Sequence, residues 1–386
     1  MQTRIAAAAA AKKDDTTMTA KTANNPIAII AITKNGIGIA RRIKARLPEA
    51  EVYVPAKHSD SGADINWFSE PSTQLVANLF RSHGALVCIF SLGAVIRMVA
   101  PHLGDKKSDP AVVVIDDRAT HVISALSGHL GGANALARLL ASVLGARPVI
   151  TTAADVNETI AVDLVGREFG WTIENFENVT RVSAMMVNEE KIALYQDAGE
   201  RNWWAAGAAV TLPKNVVVVD GMEHILSDEF KAALVITDRM VPAEVAAKSV
   251  VYRPKSLVVG IGLHWDTGRD TIESGVQEVF KSHGLSTASI RNIASVNRGA
   301  PVKGLDEFAA QHGLPVEIYE KADLARVEVP NPSEAVKKFE GTASVSEAAS
   351  LLSSRGVLVV PKQKFPPNLT VAVCRVADDD NDDKSG

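Results

Sequence analysis

The sequence predicts an α/β fold: a doubly wound, mostly parallel sheet in an N-terminal domain, a smaller middle α/β region and a separate C-terminal α/β domain. Three observations predict it. Short β-branched runs such as PIAIIAI (26–32), ALVCIF (85–90) and AVVVI (111–115) alternate with stretches of helical spacing. At 386 residues the chain is too long for one ordinary core. The pattern also restarts at Ser256 with the strand LVVGIGL, after Arg253-Pro254-Lys255, which reads as a linker.

The elements follow in order. The strand at 26–32 turns through Thr33-Lys34-Asn35-Gly36 into a helix over 37–47, followed by a strand at 51–55 and a helix over 73–82. The strand 85–90 leads through Ser91-Leu92-Gly93 into a helix broken at Pro101, and 111–115 is the next strand. VIS (122–124) has the short, apolar, β-branched character of a buried parallel strand. Helical spacing then runs over 133–144 until Gly145 stops it, and PVI leads to a polar strand end at Thr151-Thr152. This first domain spans 26–154. The middle region, 155–253, reads as helices at 158–169 and 177–187, strands at 216–220 and 232–237, and a loop carrying Trp203-Trp204. The C-terminal domain, 256–376, carries strands at 257–263, 289–296 and VEIY, with helices at 270–283, 305–312 and 346–354. It closes on the strands GVLVVPKQK and LTVAVCRV. Residues 1–25 read as a disordered tail, within which Met18 is an alternative start to Met1, and 377–386 as an acidic tail.

Composition excludes several function classes. A net charge of −4 gives no general attraction to nucleic acid, and 5% aromatic residues supply few stacking platforms. The seven apolar residues at 5–11 are followed by KKDD, too short a run to span a membrane, so a cytoplasmic location is expected. Cys88 and Cys374 sit in apolar strand-like runs and read as buried free thiols of a reducing compartment. No CxxC, HxxxH or HExxH spacing supports a protein-held metal. NGIGIAR and GIGLHW both lack the third glycine of a dinucleotide fingerprint, and no GxxxxGK[ST] occurs.

The chemistry-bearing stretch is Ser127-Gly128-His129-Leu130-Gly131-Gly132, followed by Asn134. Glycines where a strand feeds a helix let backbone approach a ligand and present free N–H groups, which makes an anion cradle with an imidazole inside it. Ligands bind beyond the carboxyl ends of parallel strands. On that rule the rim gathers Lys34, Ser91, Arg97, Asp116-Asp117, Ser127, Gly128, His129, Gly131, Gly132, Asn134, Thr151, Thr152 and Asp155, with Lys106, Lys107 and Asp109 from the loop DKKSDP. Such a rim suits a substrate bearing several carboxylates. His129 is either a general acid or base beside an oxyanion cradle, or a residue that caps the helix. Ser127 and Asn134 are contacts or caps, Thr151-Thr152 contacts or a plain strand end, and Lys106 and Lys107 carboxylate clamps or a solvated loop. The histidines at 58, 83, 102, 224, 283 and 312 read as incidental and partnerless.

KNGIGIARRI, GAVIRMVAPHLGDKKSDPAVVVIDD, LSGHLGGANALA and PVITTAADVN together resemble the CbiG family, the cobalt-precorrin-5A hydrolases of anaerobic cobalamin (vitamin B12) biosynthesis. The resemblance extends from about residue 26 to 376. Glu347-Ala-Ala and VVPKQK…TVAV fit the closing region, while GIGLHWDT stands where the family usually reads GIGCR. The resemblance implies a hydrolase acting on a carbon–carbon bond. The ring A δ-lactone of a cobalt-bearing tetrapyrrole is opened and C20 leaves as acetaldehyde, giving cobalt-precorrin-5B. It implies no cofactor of the protein's own, since cobalt arrives in the substrate. Its partners would be that tetrapyrrole and neighbouring cobalamin-pathway enzymes, with neither nucleic acid nor membrane. It implies His129 as base, the 128–133 backbone as oxyanion donors, and Lys34, Arg97, Lys106 and Lys107 as clamps on peripheral carboxylates. A non-catalytic carrier of tetrapyrrole intermediates and a pathway scaffold are the alternatives.

Overall fold

A computed structural model describes residues 26–59, 64–105, 108–204, 211–332 and 344–377. The expected N-terminal tail, its Met18, Lys106, Lys107 and the acidic tail from 378 onward lie outside the described residues. The chain divides into two units, the first ending at Leu164 and including Trp204–Pro213, the second holding Val165–Trp203 and everything from Lys214 on.

The first unit is built on a seven-stranded sheet. Its strands are β1 (Ile27–Ala31), β2 (Glu51–Pro55), β3 (Ile65–Phe68), β4 (Ala85–Ile89), β5 (Ala111–Ile115), β6 (His121–Leu126) and β7 (Arg147–Val149), in the order β3-β2-β1-β4-β5-β6-β7. Every residue of β1, β4 and β5 is buried, as β-branched runs covered on both faces must be. Helices Lys34–Arg46 and Ala133–Leu144 pack on one face of the sheet. Helices Ser72–Ser82 and Leu92–Val99 pack on the other, so the sheet is doubly wound. β1 to β5 are mutually parallel.

β6 corrects the sequence reading. It runs antiparallel to β5, with Ile115 opposite Val122 and Val112 opposite Leu126, and it pairs parallel with β7. The connection explains the reversal: only residues 116–120 separate the two strands, whereas a parallel crossover needs a dozen or more residues. Asp116 closes this turn, its carboxylate accepting the N–H groups of Arg118 at 3.0 Å and Thr120 at 3.2 Å. The carboxyl ends of β6 and β7 therefore emerge at the edge where β1 to β5 begin. The single rim expected from a parallel sheet is split between two opposite edges.

The second unit contains two five-stranded sheets. The first joins β8 (Thr172–Ile173), β9 (Ile192–Gln196), β10 (Val216–Val218), β11 (Ala232–Ile236) and β12 (Ser249–Arg253) in the order β10-β9-β11-β12-β8. The other joins β13 (Leu257–Leu263), β14 (Ile290–Val296), β15 (Val316–Tyr319), β16 (Val357–Phe365) and β17 (Leu369–Arg375) in the order β15-β14-β13-β17-β16. Two expectations fail here. Residues 158–166 form no helix, since the backbone is left-handed at both Glu158 and Gly166, and only Arg167–Phe169 makes a short 3₁₀ turn. Arg253 is not linker. It ends β12 only 1% exposed, and its guanidinium donates to the Thr237 carbonyl at 3.0 Å and to the Glu174 carboxylate. Cys88 and Cys374 are both buried free thiols, and burial pushes Cys88 up to about 12.

Candidate active site

The turn that leaves β6 folds back on the start of helix Ala133–Leu144. Ser127 takes a left-handed φ of +55° and Gly132 one of +88°. Gly131 presses so closely on Ser127 that a Cβ at 131 would lie 2.2 Å from the Ser127 Cβ, so only glycine fits there. The closeness consumes the backbone donors. Gly132 N–H donates to the His129 carbonyl at 3.0 Å, Ala133 N–H to Ser127 at 3.1 Å and Asn134 N–H to Gly128 at 3.0 Å. The expected cradle of outward-facing amides is corrected on this point: at 132–134 the donors face the turn's own carbonyls. The glycines serve a self-closing turn.

What the turn presents is a charged cluster centred on His129. Its Nε2 stands 2.9 Å from Asp155 Oδ2 and its Nδ1 3.1 Å from Asp163 Oδ1, and all three side chains are about 15% exposed. Asp155 also receives Arg138 on Oδ1 and the Asn134 amide on Oδ2 at 2.8 Å. The same Asn134 amide donates to Thr152 Oγ1 at 2.8 Å, and its carbonyl oxygen accepts from Ser124 Oγ at 2.7 Å. Burial opposes a charge on His129, but hydrogen bonds and attraction from the two carboxylates outweigh it and push the imidazole up to about 9. Burial likewise opposes ionisation of Asp155, yet His129 and Arg138 hold it down at about 2. The cluster is thus an imidazolium and a guanidinium against two carboxylates. Among the described residues no group of three or more His, Cys, Asp or Glu has metal-holding geometry.

The edge reversal decides which expected residues join this cluster. Ser127, Gly128, His129, Gly131, Gly132, Asn134, Thr152 and Asp155 come together, with Thr151 exposed alongside. Asp109 stands two residues before β5, on the same edge, where its carboxylate accepts the Gly104 N–H at 3.1 Å on each oxygen. Lys34 and Ser91 follow β1 and β4 and are exposed on the opposite edge. There Asp117 accepts from Thr33 and from Asn35 Nδ2 at 2.9 Å. Arg97 lies along helix Leu92–Val99, where its Nη1 donates to the Gly93 carbonyl at 3.1 Å. Sequence reasoning missed Arg138 and Asp163. Arg138 was findable, four residues after Asn134 on the same helix face. Some of the histidines read as partnerless are paired, His312 with Glu273 at 2.6 Å and His224 with Asp220 at 2.8 Å.

Two outcomes follow from this geometry. The Ser127 hydroxyl is buried without a partner among the described residues, on a backbone strained for a non-glycine. Left-handed strain costs about 1–2 kcal/mol, and glycine returns part of that as unfolded-chain entropy, so Ser127→Gly is expected to gain about 0.5–1 kcal/mol in urea denaturation. Ser127→Ala should show no such gain. The second outcome concerns pH. His129 rises from an ordinary 6.5 to about 9, so its stabilisation is complete below 6.5 and disappears as pH climbs through 9. Asp155 falls from 3.8 to about 2, so its share is complete above 3.8 and disappears as pH drops through 2. Thermal stability of the first unit should peak between about pH 4 and 6.5 and decline toward pH 9, and the alkaline decline should be absent from His129→Gln.

A doubly wound α/β unit carrying a histidine–carboxylate cluster behind a glycine turn, followed in the chain by two further α/β sheets, defines a multi-region α/β protein. Three family descriptions match it in turn from residue 74 onward: cobalamin synthesis G N-terminal over 74–155, the cobalamin biosynthesis central region over 160–254, and cobalamin synthesis G C-terminus over 257–374. The chain belongs to the CbiG family of cobalamin biosynthesis. It is 40% identical to a cobalt-precorrin-5A hydrolase of Priestia megaterium, over 92% of this chain and 96% of that one. It is 31% identical to the Salmonella typhimurium protein of the same name, over 86% and 93%. A solved cobalamin biosynthesis protein G homologue from Sulfolobus solfataricus is 20% identical with a TM-score of 0.36, covering 92% of this chain and 99% of its own. No helix among the described residues is long and apolar enough to cross a membrane.

Proposed function

We propose that this chain is a cobalt-precorrin-5A hydrolase that opens the ring A δ-lactone of its cobalt-bearing tetrapyrrole and releases C20 as acetaldehyde, leaving cobalt-precorrin-5B. The observation that carries this reading is the near end-to-end match, at 40% identity, to a relative bearing that name. The His129 cluster suits the chemistry. Opening a lactone requires a proton acceptor for the attacking water and a hydrogen-bond donor for the carbonyl oxygen as it gains charge. Asp155 and Asp163 are acceptors, and the Arg138 guanidinium beside Asp155, whose side chain is 40% exposed, is a donor within the same cluster. His129 takes a different part from the base expected of it. With both ring nitrogens facing carboxylates and the ring charged at neutral pH, it has no lone pair for a water proton. It holds the two acids in place.

Lys34 and Arg97 are proposed as contacts to peripheral carboxylates only at a distance from this cluster, and Asp109 and Thr151 as contacts near it. The cobalt belongs to the substrate, and neighbouring pathway enzymes would supply the lactone and accept the product. The test is anaerobic incubation of the purified chain with the lactone, with acetaldehyde read by alcohol dehydrogenase and NADH. One acetaldehyde per tetrapyrrole consumed supports the hydrolase. Binding of the tetrapyrrole without acetaldehyde would replace it with a carrier.

A further inference from the structure

Asp155 and Asp163 hold the same imidazole from its two sides but differ in what else reaches them. Asp155 has both oxygens occupied: Oδ1 by Arg138, and Oδ2 by His129 and Asn134 at 2.9 and 2.8 Å. Asp163 accepts only from His129, through Oδ1 at 3.1 Å, and its Oδ2 meets no donor among the described residues. Its side chain remains 16% exposed, so water reaches it. The backbone leading into 163 is nonetheless anchored, because the preceding residue Val162 is only 1% exposed and Ile160 only 2%. One carboxylate is therefore an anchor, and the other is a held group with a vacant acceptor.

We propose that Asp163 is the general base of lactone opening, an assignment that rests on the hydrolase reading above. Asp163 Oδ2 takes one proton from a water molecule while that water's oxygen bonds to the lactone carbonyl carbon. The acyl C–O bond to C20 then breaks, and the departing oxygen recovers the proton from Asp163. One water is consumed, a carboxylic acid forms on the ring A acetate and a hydroxyl on C20, with no change of oxidation state. His129 is the positioning residue: tied through Nε2 to Asp155, it fixes the orientation of Asp163 through Nδ1.

The test compares the full-length protein with Asp163→Asn, Asp163→Ala and Asp155→Asn in the acetaldehyde assay. General-base catalysis is typically worth about 10²–10⁴-fold, so Asp163→Asn, which keeps an oxygen facing His129, should lose at least about 100-fold in kcat with KM changed less than about threefold. Asp163→Ala should regain activity in a saturable way when formate is added, because a small carboxylate can occupy the space left by the side chain. Asp155→Asn should gain nothing from formate. Folding of each variant is checked by its urea transition, and Asp163→Asn decides by itself if Asp163→Ala does not fold. Asp163→Asn above one-tenth of normal kcat overturns the assignment, as does a folded Asp163→Ala that formate leaves inactive. A wild-type chain that releases no acetaldehyde overturns the hydrolase reading, and the base with it, before any variant is compared.

Discussion

His129→Ala is expected to halt acetaldehyde release and to destabilise the first unit by about 2–4 kcal/mol at pH 6. Removing one member of a buried ion pair typically costs about 3–5 kcal/mol, because the partner stays desolvated with nothing to compensate it. The lower range applies because these side chains keep 15–16% of their surface in water. Asp155 retains Arg138 and Asn134 after the substitution, whereas Asp163 loses the one donor it has among the described residues. The two carboxylates then repel one another across the space the imidazolium occupied. Urea denaturation at two pH values isolates this origin. At pH 6 the wild-type ring is charged, so the full difference between wild type and His129→Ala is seen. Above about 9 the wild-type ring gives up its proton, and the difference should shrink to the cost of a lost ring contact. A difference that is the same at pH 6 and pH 10 would place the loss in packing and not in charge.

The βα framework was legible because buried parallel strands are written as short β-branched runs, and β1, β4 and β5 are such runs, buried throughout. β3 was not, since INWF is an edge strand with only Phe68 buried and so carries no apolar run. The direction of β6 is invisible in the strand itself, where VIS reads alike in either sense; it lay in the short connection at 116–120. That one reversal moved Ser127, His129 and Asp155 away from Lys34 and Ser91, because the rule that ligands gather at carboxyl ends presumes strands of one sense. Within the site, Gly131, His129 and Asn134 were legible as a motif, though for a partly different reason. The glycines allow self-closure, and the imidazole is held by carboxylates on both sides. Asp163 was not legible, since the helix expected over 158–169 does not form and its left-handed ends at Glu158 and Gly166 carry no plain sequence signal. In the C-terminal region GIGLHWDT departs from the usual family wording, yet the family match holds across 257–374. The glycines there have a packing reason: a Cβ at Gly260 would lie 1.9 Å from the Ser346 carbonyl of helix Val345–Ser354.

Asp238→Ala is expected to cost the second unit about 3–5 kcal/mol and to break its unfolding into two transitions. Asp238 follows β11, is wholly buried, and accepts Arg375 in a fork, from Nε and Nη2 at 2.7 Å each. It also accepts Ser256 Oγ at 2.9 Å, while its carbonyl takes the Ser286 N–H at 2.7 Å. Arg375 ends β17 and Ser256 precedes β13, so a single carboxylate from the middle sheet ties down two strands of the C-terminal sheet. The buried Arg253, bonded to the Thr237 carbonyl, holds the segment bearing Asp238 from its other side. Alanine takes that fork away from Arg375, whose side chain is 24% exposed, and the loss of this compensation is the source of the cost. If that is the origin, removing both charges must hurt less than removing one. Asp238→Leu combined with Arg375→Met should therefore recover a large part of the stability lost by Asp238→Ala, since a matched apolar pair needs no compensation for desolvation. The urea m-value reports the coupling separately. It should fall for Asp238→Ala as the middle and C-terminal sheets unfold apart, and recover in the double variant only if apolar packing alone can join them.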